Sequence, residues 1–284
     1  MVLDRFTSKK SMPKKSGTNL KFHYWDHIAD TDVHDLVEGV TPDATEMVRV
    51  SVDSAIKNRG AWVPFTDELM AQHENASEFH KETGVELSYA LATKLEKEQF
   101  VIALSGAGTT ITTAGDLNAD LKLVRKALRV ANAGKHTTIK SGSTKSGTVP
   151  VNAGWYGFTS LDDADLFRAA TDFLSVEDYG YSDNIVDGEI GVIKSLGLRI
   201  VESQNIVDGE ALFIGEDALG SLSLGGKNTP QYIVKELGEG VGIDGAGEAT
   251  TDALNQNGTS GIKSTCGFMV LRSDQCIKLT MVVV

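Results

Sequence analysis

Residues 75–102 read NASEFHKETGVELSYALATKLEKEQFVI, and their apolar side chains recur at the spacing of one helix face. The apolar positions are Leu87, Leu91, Leu95 and Ile102, with Ala90 and Phe100 beside them. The pattern predicts an amphipathic helix of roughly 40 Å, at about 1.5 Å per residue. Taken alone, the stretch fits an ordinary long surface helix. An apolar stripe of this length nevertheless requires a large apolar surface elsewhere in the chain.

The segment before this helix predicts a two-stranded ribbon. Residues 18–28 and 47–53 alternate apolar and polar side chains, as strands do, and the acidic, turn-rich residues 29–46 separate them. A two-stranded ribbon is only marginally stable on its own, so we expect it to lie on another surface. Residues 1–17 have no sustained periodicity and predict an extended arm without a core.

The segment after the helix predicts a mixture of strands and helices. A second amphipathic helix is predicted from the apolar positions Leu117, Leu121, Val124, Leu128 and Ala131. Residues 134–150 are small, polar and locally basic, and predict an exposed loop. Strands are predicted at 155–160, 198–203, 211–214 and 231–237, with a helix from 161 and a final hairpin of 267–271 with 277–284. The sequence MVVV at 281–284 is expected to pair, because an unpaired apolar edge is adhesive.

The net charge of −12 is distributed unevenly along the chain. Residues 1–21 carry +5, and the remainder therefore carries −17. A basic segment of this kind is either a solvated tail or an arm that contacts an acidic neighbour or nucleic acid. The acidic remainder argues against a general nucleic-acid-binding protein. No apolar run reaches the ~18–20 residues of a membrane span or follows the N-terminal charges, so we expect a soluble protein without a signal peptide.

Cys266 and Cys276 are the two cysteines of the chain. If residues 272–275 form the turn of the final hairpin, residue 271 pairs with residue 276, and Cys266 lies opposite residue 281. The two thiols would then not meet. Both are predicted to be reduced, which is usual for a cytoplasmic protein.

Patterns typical of catalytic and cofactor sites are weak in this sequence. GSLSLGGK at 220–227 has a phosphate-loop outline but the wrong glycine spacing, and it is followed by Asn228 in place of Ser or Thr. GAGTT at 106–110 follows a helix instead of opening one, which is wrong for dinucleotide binding. The six histidines include no HExxH pair, and the Asp-Gly pairs at 187–188, 208–209 and 244–245 fit turns. We predict no catalytic residue, no cofactor and no metal ion.

Three groups of motifs, in sequence order, carry a resemblance to a known family. LVEGVTP at 36–42 precedes GAWVPFTD at 60–67, VDGEIGVIKSLGLRIVES occupies 186–203, and GEDALG at 215–220 precedes dispersed matches. In this order they resemble the major capsid proteins of the coliphage N-four type. The matching residues are Leu36, Glu38, Gly39, Pro42, Gly60, Val63, Thr66, Asp67, Gly188, Glu189, Ile190, Gly191, Gly197, Glu202, Asp252, Leu254, Asn255, Gln256, Gly261, Lys263 and Leu271. The chain departs from the family at Ser160-Leu161, where a His-Pro pair is expected.

The resemblance implies an α+β chain with the Hong Kong 97-type phage capsid fold. The implied parts are an N-terminal arm (1–17), an extended E-loop hairpin (18–62), a P-domain (63–134) with the spine helix (75–102), an A-domain (135–228) and a return to P-domain strands (229–284). The apolar stripe of the spine helix would then face the P-domain sheet made by the last strands of the chain.

The same resemblance implies a structural protein and not an enzyme. It would be the major capsid protein, which self-assembles into the icosahedral head shell around phage double-stranded DNA. Its partners would be copies of itself in hexamers and pentamers, portal, scaffold and decoration proteins, and DNA bound without sequence specificity. It would reside in the virion capsid, be assembled in the host cytoplasm, and contact no membrane.

The implied assembly contacts lie in two segments. They are Leu36, Glu38, Gly39 and Pro42 in the ribbon, and Lys9, Lys10, Lys14 and Lys15 in the arm. Two alternatives remain open at the level of sequence. One is an encapsulin-like compartment shell of the same fold, which would enclose an enzyme cargo. The other is a monomeric α+β enzyme with an unrecognised site.

Overall fold

The computed structural model describes residues 1–13, 17, 19–26, 28, 30–36, 38–39, 41, 44–72, 76–113, 115–140, 147–179, 185–224, 230–235, 242–243, 249–250 and 257–281. The helices are α1 (Asp67–Gln72), α2 (Ala76–Ser105), α3 (Leu117–Val130), α4 (Ala164–Arg168) and α5 (Val176–Tyr179). The strands are β1 (Ser8–Met12), β2 (Asn19–Trp25), β3 (Arg49–Ala55), β4 (Lys57–Thr66), β5 (Thr109–Thr112), β6 (His136–Lys140), β7 (Thr148–Thr159), β8 (Phe173–Ser175), β9 (Glu189–Ile193), β10 (Leu198–Glu202), β11 (Glu210–Ile214), β12 (Leu219–Leu224), β13 (Gln231–Lys235), β14 (Gly242–Ile243), β15 (Ala249–Thr250), β16 (Asn257–Val270) and β17 (Cys276–Thr280). Short 3₁₀ turns cover Leu3–Phe6, Asp30–Asp32 and Ser273–Gln275.

A five-stranded sheet is built around the long strand β16. On one side β16 pairs along most of its length with β4. On the other side it pairs with β13 through residues 259–263 and with β12 through residues 266–270. Strand β1 then adds to β12 in parallel. The sheet therefore joins strands from both ends of the chain and from its middle.

An eight-stranded sheet forms the second unit, in the order β5, β17, β11, β7, β10, β9, β8, with β6 paired to the start of β7. Helices α3 and α4 cover one face of this sheet, where Leu121, Val124, Leu128 and Phe167 are fully buried. The opposite face carries Tyr156 and Phe158 and belongs to a separate core cluster. The sheet is thus covered on both faces, which explains why its central strands are almost entirely buried.

Helix α2 spans the two sheets. Its 30 residues correspond to about 45 Å, and the helix ends three residues beyond the predicted range. Leu87, Leu91 and Leu95 pack on the β16 side chains Ile262 and Cys266. The prediction that the stripe faces a sheet made by the last strands is therefore confirmed for β16. Further along α2, Phe100, Ala103 and Leu104 pack under the eight-stranded sheet.

The N-terminal segment, residues 1–12, is not an arm without a core. Leu3 and Phe6 are buried in the cluster under the eight-stranded sheet. The Glu96 carboxylate of α2 accepts the main-chain N–H of Val2 at 2.6 Å, and the segment continues as strand β1. The prediction of an arm without a core is wrong because Leu3 and Phe6 alone give no periodic pattern of apolar residues. The Glu96 carboxylate that binds the segment lies in α2, far away in the sequence.

The predicted ribbon is present as the antiparallel pair β2 and β3, which form a separate two-stranded sheet. Its base lies on the five-stranded sheet, where Phe22 is buried against Leu222, Met269 and Leu271. This contact is made to the same chain. The ribbon base is therefore supported in the way that a marginal two-stranded element requires.

The predicted final hairpin is wrong. Strand β16 ends in the five-stranded sheet, and β17 lies in the eight-stranded sheet between β5 and β11. The 3₁₀ turn at Ser273–Gln275 carries the chain from one sheet to the other, and the main-chain N–H of Leu271 donates to Ala218 O. Local alternation cannot distinguish a hairpin from two strands that pair with distant partners. Residues 282–284 of the MVVV end lie outside the described residues.

The membership of the two sheets also differs from the predicted boundaries. Strand β12 falls within the segment 135–228 but joins the five-stranded sheet, whereas β17 falls within 229–284 and joins the eight-stranded sheet. The exposed loop predicted at 134–150 contains strand β6, which pairs with β7. Residues 141–146 of that loop lie outside the described part of the chain.

Both cysteines are free, as predicted, although they lie in different sheets and not in one hairpin. Cys266 packs under α2, and Cys276 is fully buried between β5 and β11. Burial raises the pKa of the Cys276 thiol to about 12, so this side chain remains protonated and unreactive at neutral pH.

Candidate interaction surfaces

The stretches that have the outline of nucleotide-binding motifs lie in a strand and in a short link between a helix and a strand. Residues 220–224 lie within strand β12, and residues 225–227 fall outside the described residues. The GAGTT stretch at 106–110 joins the end of α2 to β5. Among the described residues, no group of three or more His, Cys, Asp or Glu side chains is arranged to hold a metal ion. Within the same part of the chain, no helix combines the length and apolarity needed to cross a membrane.

The predicted lysine contacts of the arm are engaged within the chain, as far as the structure describes them. Lys9 Nζ lies 2.6 Å from Asp4 Oδ2. Lys10 Nζ lies 4.4 Å from the centre of the Phe22 ring, at the base of the ribbon. Lys14 and Lys15 lie outside the described residues. The Lys9 ion pair therefore lies within the N-terminal segment, whereas the Lys10 contact joins that segment to the ribbon base of the same chain.

The ribbon tip, residues 26–48, differs from the N-terminal segment in that its charges are acidic and its apolar side chains are exposed. It carries seven acidic residues and no lysine or arginine. Leu36 is 81% exposed, the largest exposed fraction of any large apolar side chain among the described residues. Val33 and Met47 are exposed as well. This combination of carboxylates and solvated apolar side chains is typical of a surface that another molecule covers.

Local geometry shapes the tip. Gly39 adopts φ +79°, a backbone conformation that favours glycine, at a turn next to Glu38. The Thr45 hydroxyl donates to Asp32 O at 2.9 Å and links the two sides of the tip. Leu36, Glu38 and Gly39 are thus placed together at the end of the ribbon, and Pro42 lies outside the described residues.

A groove on the five-stranded sheet, the Trp62 groove, is one surface that the sequence patterns did not predict. It lies on the face opposite α2, and its volume is ≈ 240 Å³. Trp62 of β4 and Ile233 of β13 lie in register on either side of Gly261 of β16. Trp62 is 64% exposed and Ile233 is 40% exposed. The sequence signal was the alternation of Gly60, Trp62 and Pro64, which places these residues on one face of a strand.

A second groove lies on α3 and is strongly basic. Its volume is ≈ 400 Å³, and its lining consists of Lys122, Arg125, Lys126, Arg129, Val130 and Leu196. The four cations recur at positions i, i+3, i+4 and i+7, which places them on one side of the helix. The Arg125 guanidinium donates to Ser195 O at 3.2 Å. This spacing is present in the sequence, on the side of the helix opposite the apolar stripe that predicts the helix itself.

The sequence matches no protein-family model and no curated protein. Solved structures do match the fold. The capsid structure of the cyanophage P-SCSP1u has a TM-score of 0.62 and 15% identity, covering 98% of this chain and 87% of that chain.

The head structure of Helicobacter pylori bacteriophage KHP40 has a TM-score of 0.63 and 12% identity, covering 98% of this chain and 88% of that chain. The capsid of Ralstonia phage GP4 has a TM-score of 0.62 and 13% identity, covering 99% of this chain and 91% of that chain. In each case the match extends over both sheets and the ribbon, because it covers nearly the whole chain. The chain therefore has the fold of these phage capsid and head structures.

Proposed function

We propose that this chain is the major capsid protein of a tailed bacteriophage, the structural subunit of an icosahedral head shell that encloses double-stranded DNA. The observation that carries the proposal is the match of fold over 98–99% of the chain to several phage capsid and head structures. The motifs at 36–42, 60–67 and 186–203 support the same conclusion independently, because they are properties of the amino-acid sequence and not of the fold.

The parts of a Hong Kong 97-type subunit are assigned from sheet membership. Helix α2 with the five-stranded sheet corresponds to the P-domain and its spine helix. The eight-stranded sheet with α3 and α4 corresponds to the A-domain, and the β2–β3 ribbon corresponds to the E-loop. This assignment replaces the domain boundaries predicted from the sequence, which are 63–134, 135–228 and 229–284. Helix α3 and strand β17 are assigned to the A-domain, and strand β12 is assigned to the P-domain.

The proposed mechanism is geometric. A-domains meet around the axes of hexamers and pentamers, and α2 braces each subunit by packing against both sheets. The ribbon tip, with Leu36, Glu38, Gly39 and Pro42, reaches an adjacent subunit. Burying exposed apolar side chains such as Leu36 and Val33 there contributes about 1–3 kcal/mol each. Many such heterologous contacts, repeated around closed rings, stabilise a shell.

The basic N-terminal segment is proposed to make fewer contacts with neighbouring subunits than an arm that lies wholly on another subunit. Lys9 pairs with Asp4 within the segment and Lys10 lies on the Phe22 ring, so Lys14 and Lys15 are the proposed contacts to an acidic neighbour or to the lumen. Portal, scaffold and decoration proteins and packaged DNA are the further partners proposed. Assembly is proposed to take place in the host cytoplasm.

Recombinant expression followed by size-exclusion chromatography and negative-stain microscopy tests this proposal. The expected result is closed shells, or rings of subunits that close into shells when scaffold protein is supplied. A stable monomer of about 30 kDa that forms no particle under any assembly condition would contradict it. Native shells that contain an enzyme cargo instead of DNA would indicate an encapsulin-like compartment.

A further inference from the structure

Residues 121–161 are the longest stretch of this chain without an aspartate or glutamate. The stretch contains seven lysine and arginine residues, so it carries +7 and the rest of the chain carries −19. Four of the seven cations lie on α3, at Lys122, Arg125, Lys126 and Arg129. In an acidic chain, this separation of charge distinguishes one surface from the rest.

The four cations line a groove of ≈ 400 Å³, the α3 groove. Three of them are exposed, and none of the four forms an ion pair with a described residue. The fourth, Arg125, is half-buried and donates to Ser195 O at 3.2 Å, which holds its guanidinium beside the turn between β9 and β10. This bond uses one of the five N–H donors of a guanidinium, so the group can still bind an anion.

The row of cations costs α3 stability when no anion is bound. Lys122 and Lys126 are four residues apart, as are Arg125 and Arg129, and like charges at this spacing repel one another on a helix. The helix dipole favours a cation in the last turn, which accounts for Arg129 only. The acidic side chains at the start of the helix are engaged already, one as the N-cap and one in a buried hydrogen bond. A bound anion would therefore relieve a repulsion that the described part of the chain does not compensate.

The length of the row matches the charge density of a nucleic acid duplex. Lys122 and Arg129 are seven residues apart, which is about 10 Å along the helix axis. A duplex carries one phosphate charge per about 1.7 Å of its axis, so about six phosphates occupy that length. An extended acidic polypeptide carries at most one carboxylate per about 3.3 Å, which is about half that density. Four cations within about 10 Å therefore suit a phosphodiester backbone better than an acidic protein segment.

A fifth cation lies beside the groove. Lys135 Nζ lies 5.0 Å from the centre of the Trp155 ring and 3.4 Å from the position that a Cβ would take at Gly197. Gly197 directly follows Leu196, which lines the groove. Lys135 therefore adds to the positive charge at this surface.

We propose that the α3 groove binds the phosphodiester backbone of double-stranded nucleic acid. Lysines and arginines that contact phosphate oxygens carry no sequence information, so binding is independent of sequence. The acidic remainder of the chain repels a polyanion, which limits contact to the basic surfaces. The inference rests on the proposed function, because it names the surface by which a shell subunit contacts packaged DNA. It also places the α3 face of the eight-stranded sheet towards the lumen.

The salt dependence of duplex binding tests this proposal. The full chain is titrated into a short labelled DNA duplex, and fluorescence anisotropy gives the association constant K at several salt concentrations. Lys122→Gln/Lys126→Gln is expected to weaken binding about tenfold or more at low salt. The slope of log K against log salt should become shallower by about 1.8, since each lost phosphate contact removes about 0.9. Duplexes of different sequence should bind equally.

Two further variants control for charge and for folding. Lys81→Gln/Lys97→Gln removes the same charge from exposed positions of α2 and is expected to leave the slope unchanged. Lys122→Arg/Lys126→Arg keeps the charge and should retain the affinity. Circular dichroism verifies that each variant is folded, and glutamine and lysine have similar helix propensities. An equal loss of binding in the α2 and α3 glutamine variants, or no loss in either, would overturn the proposal.

Competition with polyglutamate tests the alternative that the groove binds an acidic protein segment. Because its charges are less dense, polyglutamate is expected to displace the duplex only when its carboxylates greatly outnumber the phosphates. Displacement at equal concentrations of carboxylate and phosphate would overturn the proposal and assign the groove to an acidic protein.

Assembled shells separate this proposal from the proposed function. A Lys126→Cys chain is treated with a maleimide attached to a polymer too large to enter a closed shell. The native Cys266 and Cys276 thiols are buried and should not react. The new thiol is expected to react after the shells are dissociated and not before. Reaction in intact shells would overturn the luminal placement, whereas failure of the unaltered chain to form shells would contradict the proposed function and leave the duplex-binding result standing.

Discussion

The N-terminal segment 1–12 and the ribbon tip 26–48 make opposite use of their apolar residues. In the N-terminal segment, Leu3 and Phe6 are buried in the core of their own chain, and Glu96 holds the main chain at Val2. In the tip, Leu36 is in solvent and the surrounding charges are all negative. Sequence periodicity is absent from both. Burial therefore separates a segment that stabilises the subunit from one that is available to a second molecule.

The largest expected effect comes from removing the aromatic anchor of the N-terminal segment. The Phe6 ring lies 4.7 Å from the Tyr156 ring and 5.3 Å from the Phe158 ring, centre to centre. Phe6→Ala should lower the free energy of unfolding by about 3–5 kcal/mol, because it leaves a cavity in the core. Urea denaturation of the subunit measures this, with Leu36→Ala as the matched exposed control. Equal stability of the two variants would contradict the contrast between the segments.

Acid should weaken the same packing through His136. The ring is buried against Phe6 and Tyr156, near the Gly215 main chain and Asp217, and burial lowers its pKa from 6.5 to about 4. Because the folded pKa is below the unfolded one, the unfolded chain binds a proton first as the pH falls. Stability is therefore complete above about pH 6.5 and declines towards pH 4, by about 2 kcal/mol between pH 7 and pH 5.

A His136→Asn variant provides the control for this pH dependence. Its stability should be lower overall, but the difference between pH 7 and pH 5 should shrink by about 2 kcal/mol relative to the unaltered subunit. Urea denaturation at the two pH values gives the comparison. A profile with the same slope as that of the unaltered subunit would show that other groups cause the acid sensitivity.

A smaller effect is expected from neutralising the carboxylate that holds the N-terminus. Glu96 accepts from Val2 N at 2.6 Å and from Asn205 Nδ2 at 2.8 Å. Glu96→Gln keeps the shape but weakens these bonds, at a cost of about 1 kcal/mol. Limited proteolysis should cut the first 12 residues faster, whereas Glu86→Gln, on an exposed turn of the same helix, should not change the rate. Equal rates would mean that Glu96 does not hold the segment.

The smallest effect on subunit stability is expected in the tip. Leu36→Ala should change the free energy of unfolding by no more than about 0.5 kcal/mol, because the side chain is in solvent. The same variant should lower particle yield, since Leu36 is proposed to contact an adjacent subunit. Urea denaturation and gradient sedimentation of one preparation measure both quantities. A large loss of stability with normal particle yield would reverse the roles assigned to the two segments.

Elements with local signals could be predicted from the sequence. The long helix, the second amphipathic helix with Leu121, Val124 and Leu128, and the ribbon strands all follow from periodicity and are confirmed. The exposed tip followed from its acidic, turn-rich composition. These features depend on residues that are close together in the sequence, so their pattern can be read without knowing the fold.

Long-range pairing could not be predicted in the same way. Strand β17 alternates like the arm of a hairpin but pairs with β11 and β5, and β1 pairs with β12 more than 200 residues away. The Trp62 groove required three strands to meet in register, and only β4 carried a local sign of it. The packing of the whole core determines which strands pair, so no short stretch of the sequence indicates the partner of a given strand.

The most direct test of the contrast between the two segments is the assembly of a chain that lacks residues 29–46. Circular dichroism and urea denaturation verify that the shortened subunit is folded, and electron microscopy and sedimentation velocity measure shells. The expected result is a folded subunit with unchanged core stability that forms no shells. Normal shells from the shortened chain would contradict the assignment of the ribbon tip as the assembly contact.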